Sequence, residues 1–161
     1  MTPSIETVGS AKRVLDLFAE AGTFSLRLAE WAEVHAVEGE AAMLAALDRG
    51  WRAAIGLKRV TTGARDLFRR HLMAEDLKGF DAAVIDPPRA GAEAEITALA
   101  NATIPRLAMV SCNRVTFVRD ARILTEAGYR IDWVQVVDQF RWLPHVELAA
   151  SLTRERYTRR H

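Results

Sequence analysis

The sequence holds a single cysteine, no Gly-x-Gly-x-x-Gly fingerprint, and no apolar run close to the roughly 18 residues that would span a bilayer. One cysteine excludes an intramolecular disulfide and any metal or iron-sulfur site built from cysteines alone within this chain. A reducing compartment is the natural setting, and no metal is expected. Charge of one sign is also missing: 22 basic residues stand against 21 acidic ones, a formal net charge of +1. That balance advertises no polyanion-binding surface, so an anionic partner must be gripped locally or by something else. Residues 1–11 carry no basic-then-apolar signal pattern, and a cytoplasmic location is expected.

What is present is 161 residues, half of them apolar, enough for one well-buried core and too few for two ordinary domains. Residues 1–12 read as a leader or linker remnant, residues 13–153 as the domain, and residues 154–161 as a basic, solvated tail. Within the domain, strand patterns fall at Arg13 to Phe18, Glu33 to Glu38, Arg59 to Thr62, Ala82 to Ile85 and Leu107 to Val110. Helical patterns lie between them: Phe24, Leu28 and Trp31; then Leu44, Leu47, Trp51 and Ile55, stopped by Gly56; then a short amphipathic stretch from Leu67 to Leu77. Glu93 to Asn101 follows with Ile96 and Leu99 inward, and a last helix presents Val115, Val118, Ala121 and Leu124 before Gly128. The runs Ile131 to Val137 and Val146 to Leu152 have no helix-length segment between them and predict an antiparallel pair closing one edge. Strand–helix alternation implies an α/β fold with a mostly parallel, seven-stranded sheet covered by helices on both faces and an antiparallel last strand. The final pair points away from an ordinary dinucleotide-binding domain and toward the Rossmann-like methyltransferase variant.

In the first strand-to-helix turn, Asp16-x-Phe18-x-Glu20-x-Gly22 offers one glycine and two carboxylates, a poor cradle for pyrophosphate. A cationic ligand suits it better. S-adenosylmethionine carries a sulfonium and an ammonium that nearby carboxylates stabilise, while Phe18 can pack on its apolar parts. Glu38 lies 22 residues after Asp16, near the spacing of about 20 at which an acid accepts hydrogen bonds from ribose hydroxyls. Asp66, after the third strand, is a candidate for the adenine amino group; loop capping is the competing role for each of these acids.

Two strands stop abruptly at polar, turn-forming residues: one at Asp86-Pro87-Pro88-Arg89, the other at Val110-Ser111-Cys112-Asn113. Carboxyl ends of strands are where open α/β sheets bind ligands. A lone cysteine is usually a small buried apolar residue. Cys112, just past a strand and before a helix whose first turn would favour a thiolate, fits a nucleophile instead. Asp86 ends the neighbouring strand and would face the same crevice. Glu147, starting a strand that runs backwards, is brought to the same edge and suits a general base; His145 suits a capping role.

Taken together, Asp16-Leu17-Phe18 with Gly22-Thr23-Phe24, Val37-Glu38-Gly39, Asp86-Pro87-Pro88-Arg89-Ala90-Gly91, Val110-Ser111-Cys112-Asn113, Thr116 with Arg119-Asp120, and Asp138-Gln139-Phe140 leading to His145-Val146-Glu147 carry a resemblance. From about Arg13 to Thr153 the sequence resembles the catalytic domain of the class I S-adenosylmethionine-dependent RNA 5-methyluridine methyltransferases. The resemblance implies that Cys112 adds to C6 of a uracil in ribosomal or transfer RNA, that C5 takes the cofactor's methyl group, and that Glu147 removes the C5 proton. It assigns Phe18, Thr23, Glu38 and Asp86 to cofactor contact, with Asp66 beside them, and gives Asp86 the uracil edge as well. Two departures stand out: Glu20 occupies a position where the family usually has glycine, and the family's preceding segments, an RNA-binding domain among them, are not in this sequence. An additional RNA-binding domain is therefore expected as a partner. Two alternatives stay open: a weak or inactive cofactor-binding fragment acting as an interaction module, and an amino-methylating enzyme with an Asp-Pro-Pro element.

Overall fold

In a computed structural model that describes residues 6–137 and 147–155, the strand–helix alternation resolves into one seven-stranded sheet. The strands are β1 (Arg13–Leu17), β2 (Glu33–Glu38), β3 (Val60–Ala64), β4 (Ala82–Ile85), β5 (Arg106–Ser111), β6 (Arg130–Val137) and β7 (Glu147–Thr153). Their order is β3-β2-β1-β4-β5-β7-β6, and only β7 runs antiparallel to its neighbours. Strands β4 and β5 are continuous apolar runs because both of their faces are covered, as a parallel sheet between helices requires.

Helices α1 (Ser25–Leu28) and α2 (Ala41–Ala53) supply one covering layer, where Leu28 and Leu47 meet Val14, Val34, Ala36, Val84 and Val110. Helices α3 (Glu93–Ala100) and α4 (Arg114–Glu126) supply the other, where Ile96, Leu99, Phe117 and Leu124 meet Leu15, Ile85, Leu107 and Leu152. Each fully buried leucine or isoleucine contributes on the order of 2 kcal/mol. Packing starts earlier in the chain than the polar composition of residues 1–12 implies: Val8 and Ala11 are buried against α1 and β1. At the other end Arg154 is not free in solvent. It caps the carbonyls of Ala100, Ala102 and Ala127 and lies over the Tyr129 ring.

Several local expectations change. The helix pattern ending on Ile55 stops at Ala53, and Ile55 is exposed. The pattern from Phe24 to Trp31 is α-helical only over Ser25–Leu28 and continues as turns. The stretch from Leu67 to Leu77 is turn and loop, closing in a 3-10 helix at Ala74–Leu77. In α4 the buried face is Phe117, Ala121 and Leu124, whereas Val115 and Val118 point to solvent. The reason is angular: at about 100° per residue each step of three slips back by about 60°, so 115, 118, 121 and 124 wind around half the helix. Mixed steps of four and three stay on one face.

Among the described residues no helix is long and apolar enough to cross a membrane. The expectations attached to Asp138, Gln139, Phe140, His145 and Val146 lie outside the described residues, as do Arg156, Arg159 and Arg160.

Candidate active site

The sheet edge formed by the carboxyl ends of β1, β2, β4 and β5 gathers the predicted residues, and strand alternation decides which way they face. Along β1, β2, β4 and β5, Val14, Val34, Val84 and Val110 pack on the α1–α2 side, while Leu15, Val37, Ile85 and Met109 pack on the other. Asp16, Glu38, Asp86 and Cys112 share the parity of the first set. In the antiparallel pair Ser111 sits opposite Leu148, so Cys112, the first residue past β5, and Glu147, the first residue of β7, lie at the same end of that pair. Glu147 also has the parity of Ala149 and Ser151, which lie on the face away from Leu148, Ala150 and Leu152.

Cys112 is exposed. Its turn is folded by Ser111, whose Oγ donates to the Asn113 carbonyl at 3.0 Å and accepts from the Asn113 N–H at 3.2 Å. Asn113 then caps α4, its Oδ1 accepting from the N–H groups of Val115 and Thr116, while its Nδ2 donates to the Arg89 carbonyl at 3.1 Å. The cysteine loop and the loop after Asp86 are thereby tied together. Gly91, at φ +81°, completes the tie, because a Cβ there would lie 2.5 Å from an Arg119 nitrogen and 3.0 Å from Thr116 Cβ. Arg119 itself bonds Asp120 and pairs with Glu93.

Asp86 is mostly buried, and burial pushes its carboxyl up to about 7, helped by the negative charges of Glu20, Glu147 and Asp16. Asp16 is fully buried; desolvation raises it to about 7 against the Ser25 hydroxyl, which donates to Oδ2 at 2.6 Å, with Glu20 and Glu38 adding to the rise. Its Oδ1 has no hydrogen-bond partner among the described residues. Asp86 thus lies within electrostatic reach of Glu20, Glu147 and Asp16, and Asp16 within reach of Glu20 and Glu38.

Beside this edge lies a cleft of about 410 Å³ lined by Phe18, Glu20, Glu38, Gly39, Glu40, Met43, Arg65, Asp66, Leu67, Phe68, Asp86 and Pro88. Four of the residues predicted for cofactor contact, Phe18, Glu38, Asp66 and Asp86, line it. Asp16 lies beneath. Thr23 is exposed and does not line it, and Gly22 serves packing, since a Cβ there would meet Leu47 at 2.9 Å. Glu38 combines cleft lining with a capping role: it accepts the N–H groups of Gly39, Glu40 and Glu20 at 3.0, 3.2 and 2.9 Å. Asp66 does the same for the Phe68 N–H. A carboxylate offers about four acceptor sites, so both retain capacity for a ligand.

Sequence reasoning missed Met43, Arg65, Leu67 and Phe68. Phe68 stacks in a tilted geometry 5.7 Å from Phe18 and is half exposed, giving the cleft an aromatic wall. An unassigned aromatic two residues past Asp66 was the available signal. Arg65 donates to the carbonyls of Arg70 and His71 and to Asp76, which shapes the loop carrying Phe68. The larger cavity of about 1020 Å³, around Lys12, Arg106 and Arg130, sits at the opposite end of the strands and holds none of the predicted residues.

The chain resembles proteins of one kind. It is 57% identical over 145 residues to an uncharacterised RNA methyltransferase of Rhizobium meliloti, covering 90% of this chain and 35% of that protein. It is 39% identical over 145 residues to the 23S rRNA (uracil(1939)-C(5))-methyltransferase RlmD of Chromohalobacter salexigens, covering 89% of this chain and 30% of that one. Among solved structures, the tRNA (uracil-54, C5)-methyltransferase of Pyrococcus abyssi in complex with S-adenosyl-L-homocysteine superposes with a TM-score of 0.77 at 28% identity, over 92% of this chain and 37% of that one. Magnesium protoporphyrin IX methyltransferase of Synechocystis, at 17% identity and a TM-score of 0.70, shares the fold. The chain thus spans about a third of the length of its sequence relatives. The model of the tRNA (uracil-5-)-methyltransferases matches residues 4–155, and the chain belongs to that family.

Proposed function

We propose that this chain is the catalytic domain of an RNA methyltransferase that transfers a methyl group from S-adenosylmethionine to C5 of a uridine in ribosomal or transfer RNA, with Cys112 as nucleophile. The observation that carries the reading is the sheet order: β5 ends at the turn that holds Cys112, antiparallel β7 begins beside that end with Glu147, and Asp86 follows the neighbouring β4. Family membership and the likeness to uracil-C5 methyltransferases support it.

The cleft suits the cofactor chemically. Its carboxylates complement a ligand with two cationic groups, and Phe18 and Phe68 offer aromatic surface for an adenine. Glu38 and Asp66 hold the polar edges of the nucleoside. The cofactor, when bound, supplies a methyl group on a positively charged sulfur. Asp16, through its bond with Ser25, and Gly22, packed against Leu47, support the loop that forms this end.

The uracil ring is a poor carbon nucleophile at C5. Cys112 corrects this: its thiolate forms a bond to C6, and the C5–C6 π electrons move onto the C4 carbonyl as an enolate. C5 then bonds to the methyl carbon as the carbon–sulfur bond of the donor breaks, leaving a neutral thioether. Glu147 takes the proton from C5, the C5–C6 double bond re-forms, and the Cys112 sulfur leaves as thiolate. Asp86, with a carboxyl raised to about 7, holds the uracil edge either as donor or as acceptor. Substrate selection by RNA shape and single-stranded loops falls to an additional RNA-binding domain. The cytoplasm is the expected location.

The test is trapping on a denaturing gel with 5-fluorouridine-containing RNA and S-adenosylmethionine, comparing wild type with Cys112→Ala and Glu147→Gln. Fluorine at C5 blocks the final proton removal, so wild type and Glu147→Gln should give a shifted band that Cys112→Ala loses. Methylation of ordinary RNA without any trappable adduct would instead favour the amino-methylating reading.

A further inference from the structure

Glu20 has no structural reason to be an acid. It occupies a left-handed backbone position, φ +53°, in the turn between β1 and α1, where a side chain costs roughly 1 kcal/mol relative to glycine. Its N–H serves the turn by donating to Glu38, an interaction any residue makes. No cation pairs with its carboxylate among the described residues. It adds a negative charge to a cleft that already carries Glu38, Glu40, Asp66 and Asp86, and in which Arg65, the one lining cation, is engaged by carbonyls and Asp76. Its charge also adds to the rise of buried Asp16, one of whose oxygens has no hydrogen-bond partner among the described residues. Glu20 lines the cleft together with Asp86, which follows β4, the strand paired with the β5 that leads to Cys112; this is the side of the cleft from which a methyl group would be delivered.

We infer that Glu20 makes the cleft select its ligand by charge at sulfur, favouring the sulfonium donor over the neutral thioether left after transfer. The inference rests on the cofactor assignment above and extends it to product discrimination. The two ligands share the adenosine and the amino-acid portion and differ by one methyl and one positive charge. A carboxylate at this end therefore strengthens one complex and leaves the other nearly untouched. The consequence is faster clearance of the product and less inhibition by it.

The test is isothermal titration calorimetry of the full chain with S-adenosylmethionine and with S-adenosylhomocysteine, for wild type, Glu20→Gln and Glu20→Gly, at low and high salt. Wild type should prefer the sulfonium. Both variants should lower that preference roughly two- to fivefold, chiefly by weakening the sulfonium ligand, and added salt should lower it in wild type more than in the variants. An equal change for both ligands means that Glu20 acts only through the turn, and an unchanged ratio means that its charge is irrelevant; either overturns the inference while the cofactor assignment stands. Binding of neither ligand to wild type would overturn that assignment and the inference with it.

Discussion

Replacing Asp16 by asparagine should make the protein's stability less sensitive to rising pH between about 5 and about 7. Asp16 is fully buried, one oxygen takes the Ser25 hydroxyl, and the other has no partner among the described residues. Desolvation therefore holds the carboxyl near 7 instead of its ordinary 3.8. Between those values the folded protein keeps a proton that the unfolded chain has released. Such a group stabilises the fold on the acid side, and the contribution is lost as pH rises through about 7. At about 1.36 kcal/mol per tenfold change, the full span corresponds to about 4 kcal/mol, of which roughly 2.5 kcal/mol falls between about pH 5 and about pH 8.

The asparagine side chain would be neutral throughout and would present an N–H where the unpartnered oxygen now lies. Urea unfolding of wild type and Asp16→Asn across that window reads the effect, to which the loss of Asp16's charge on Asp86 adds a smaller contribution of the same sign. The variant should gain on wild type steadily with pH, by roughly 2.5 kcal/mol, flattening above about pH 7. Parallel profiles would refute the reasoning, because they would mean that Asp16 ionises in the folded chain as easily as in water.

Because Asp16 and Asp86 are both raised to about 7, a cationic ligand that favours their ionised forms must displace protons. S-adenosylmethionine should bind more tightly as pH rises from about 6 to about 7.5, with proton release visible as a buffer-dependent heat. Gly91→Ala should cost at least about 1 kcal/mol from the left-handed backbone alone, and more from displacing Arg119, read as a fall of several degrees in Tm. Asn113→Ala should cost about 1 kcal/mol through the lost cap of α4. Asn113→Asp keeps the cap but not the bond to the Arg89 carbonyl, so it should retain most of the stability while the yield of the fluorouridine adduct falls.

The strands were legible because a covered parallel sheet leaves unbroken apolar runs, and Glu33–Glu38 and Ala82–Ile85 coincide with their sequence limits. The common edge and face of the residues at the ends of those runs were legible for the same reason: period-two alternation fixes their face. Helix faces were harder, since Val115 and Val118 satisfy a spacing rule that drifts around α4. The cleft wall was hardest. Phe68 and Met43 come from a loop and from the exposed side of α2, and their meeting depends on Arg65 folding residues 65–76 through main-chain carbonyls. No periodicity encodes such bonds. Nor does sequence separate capping from binding at Glu38, where the same carboxylate caps its own loop and lines the cleft.

The reversal of β7 is the step on which the chemistry turns. With β7 parallel to β5, Glu147 would sit at the amino end of the sheet, six strand steps or about 20 Å from Cys112. Antiparallel, it begins at the edge where β5 leads into the cysteine turn. The same reversal adds a carboxylate to an edge already bearing Asp16, Glu20, Glu38 and Asp86, and Glu147 is among the charges that raise Asp86. An edge built this way repels anions and relaxes when a cation arrives, yet the RNA of the proposed reaction is a polyanion. The uracil must therefore enter as a neutral base while the phosphates are held elsewhere. That separation fits a chain whose net charge is only +1 and whose relatives are about three times as long.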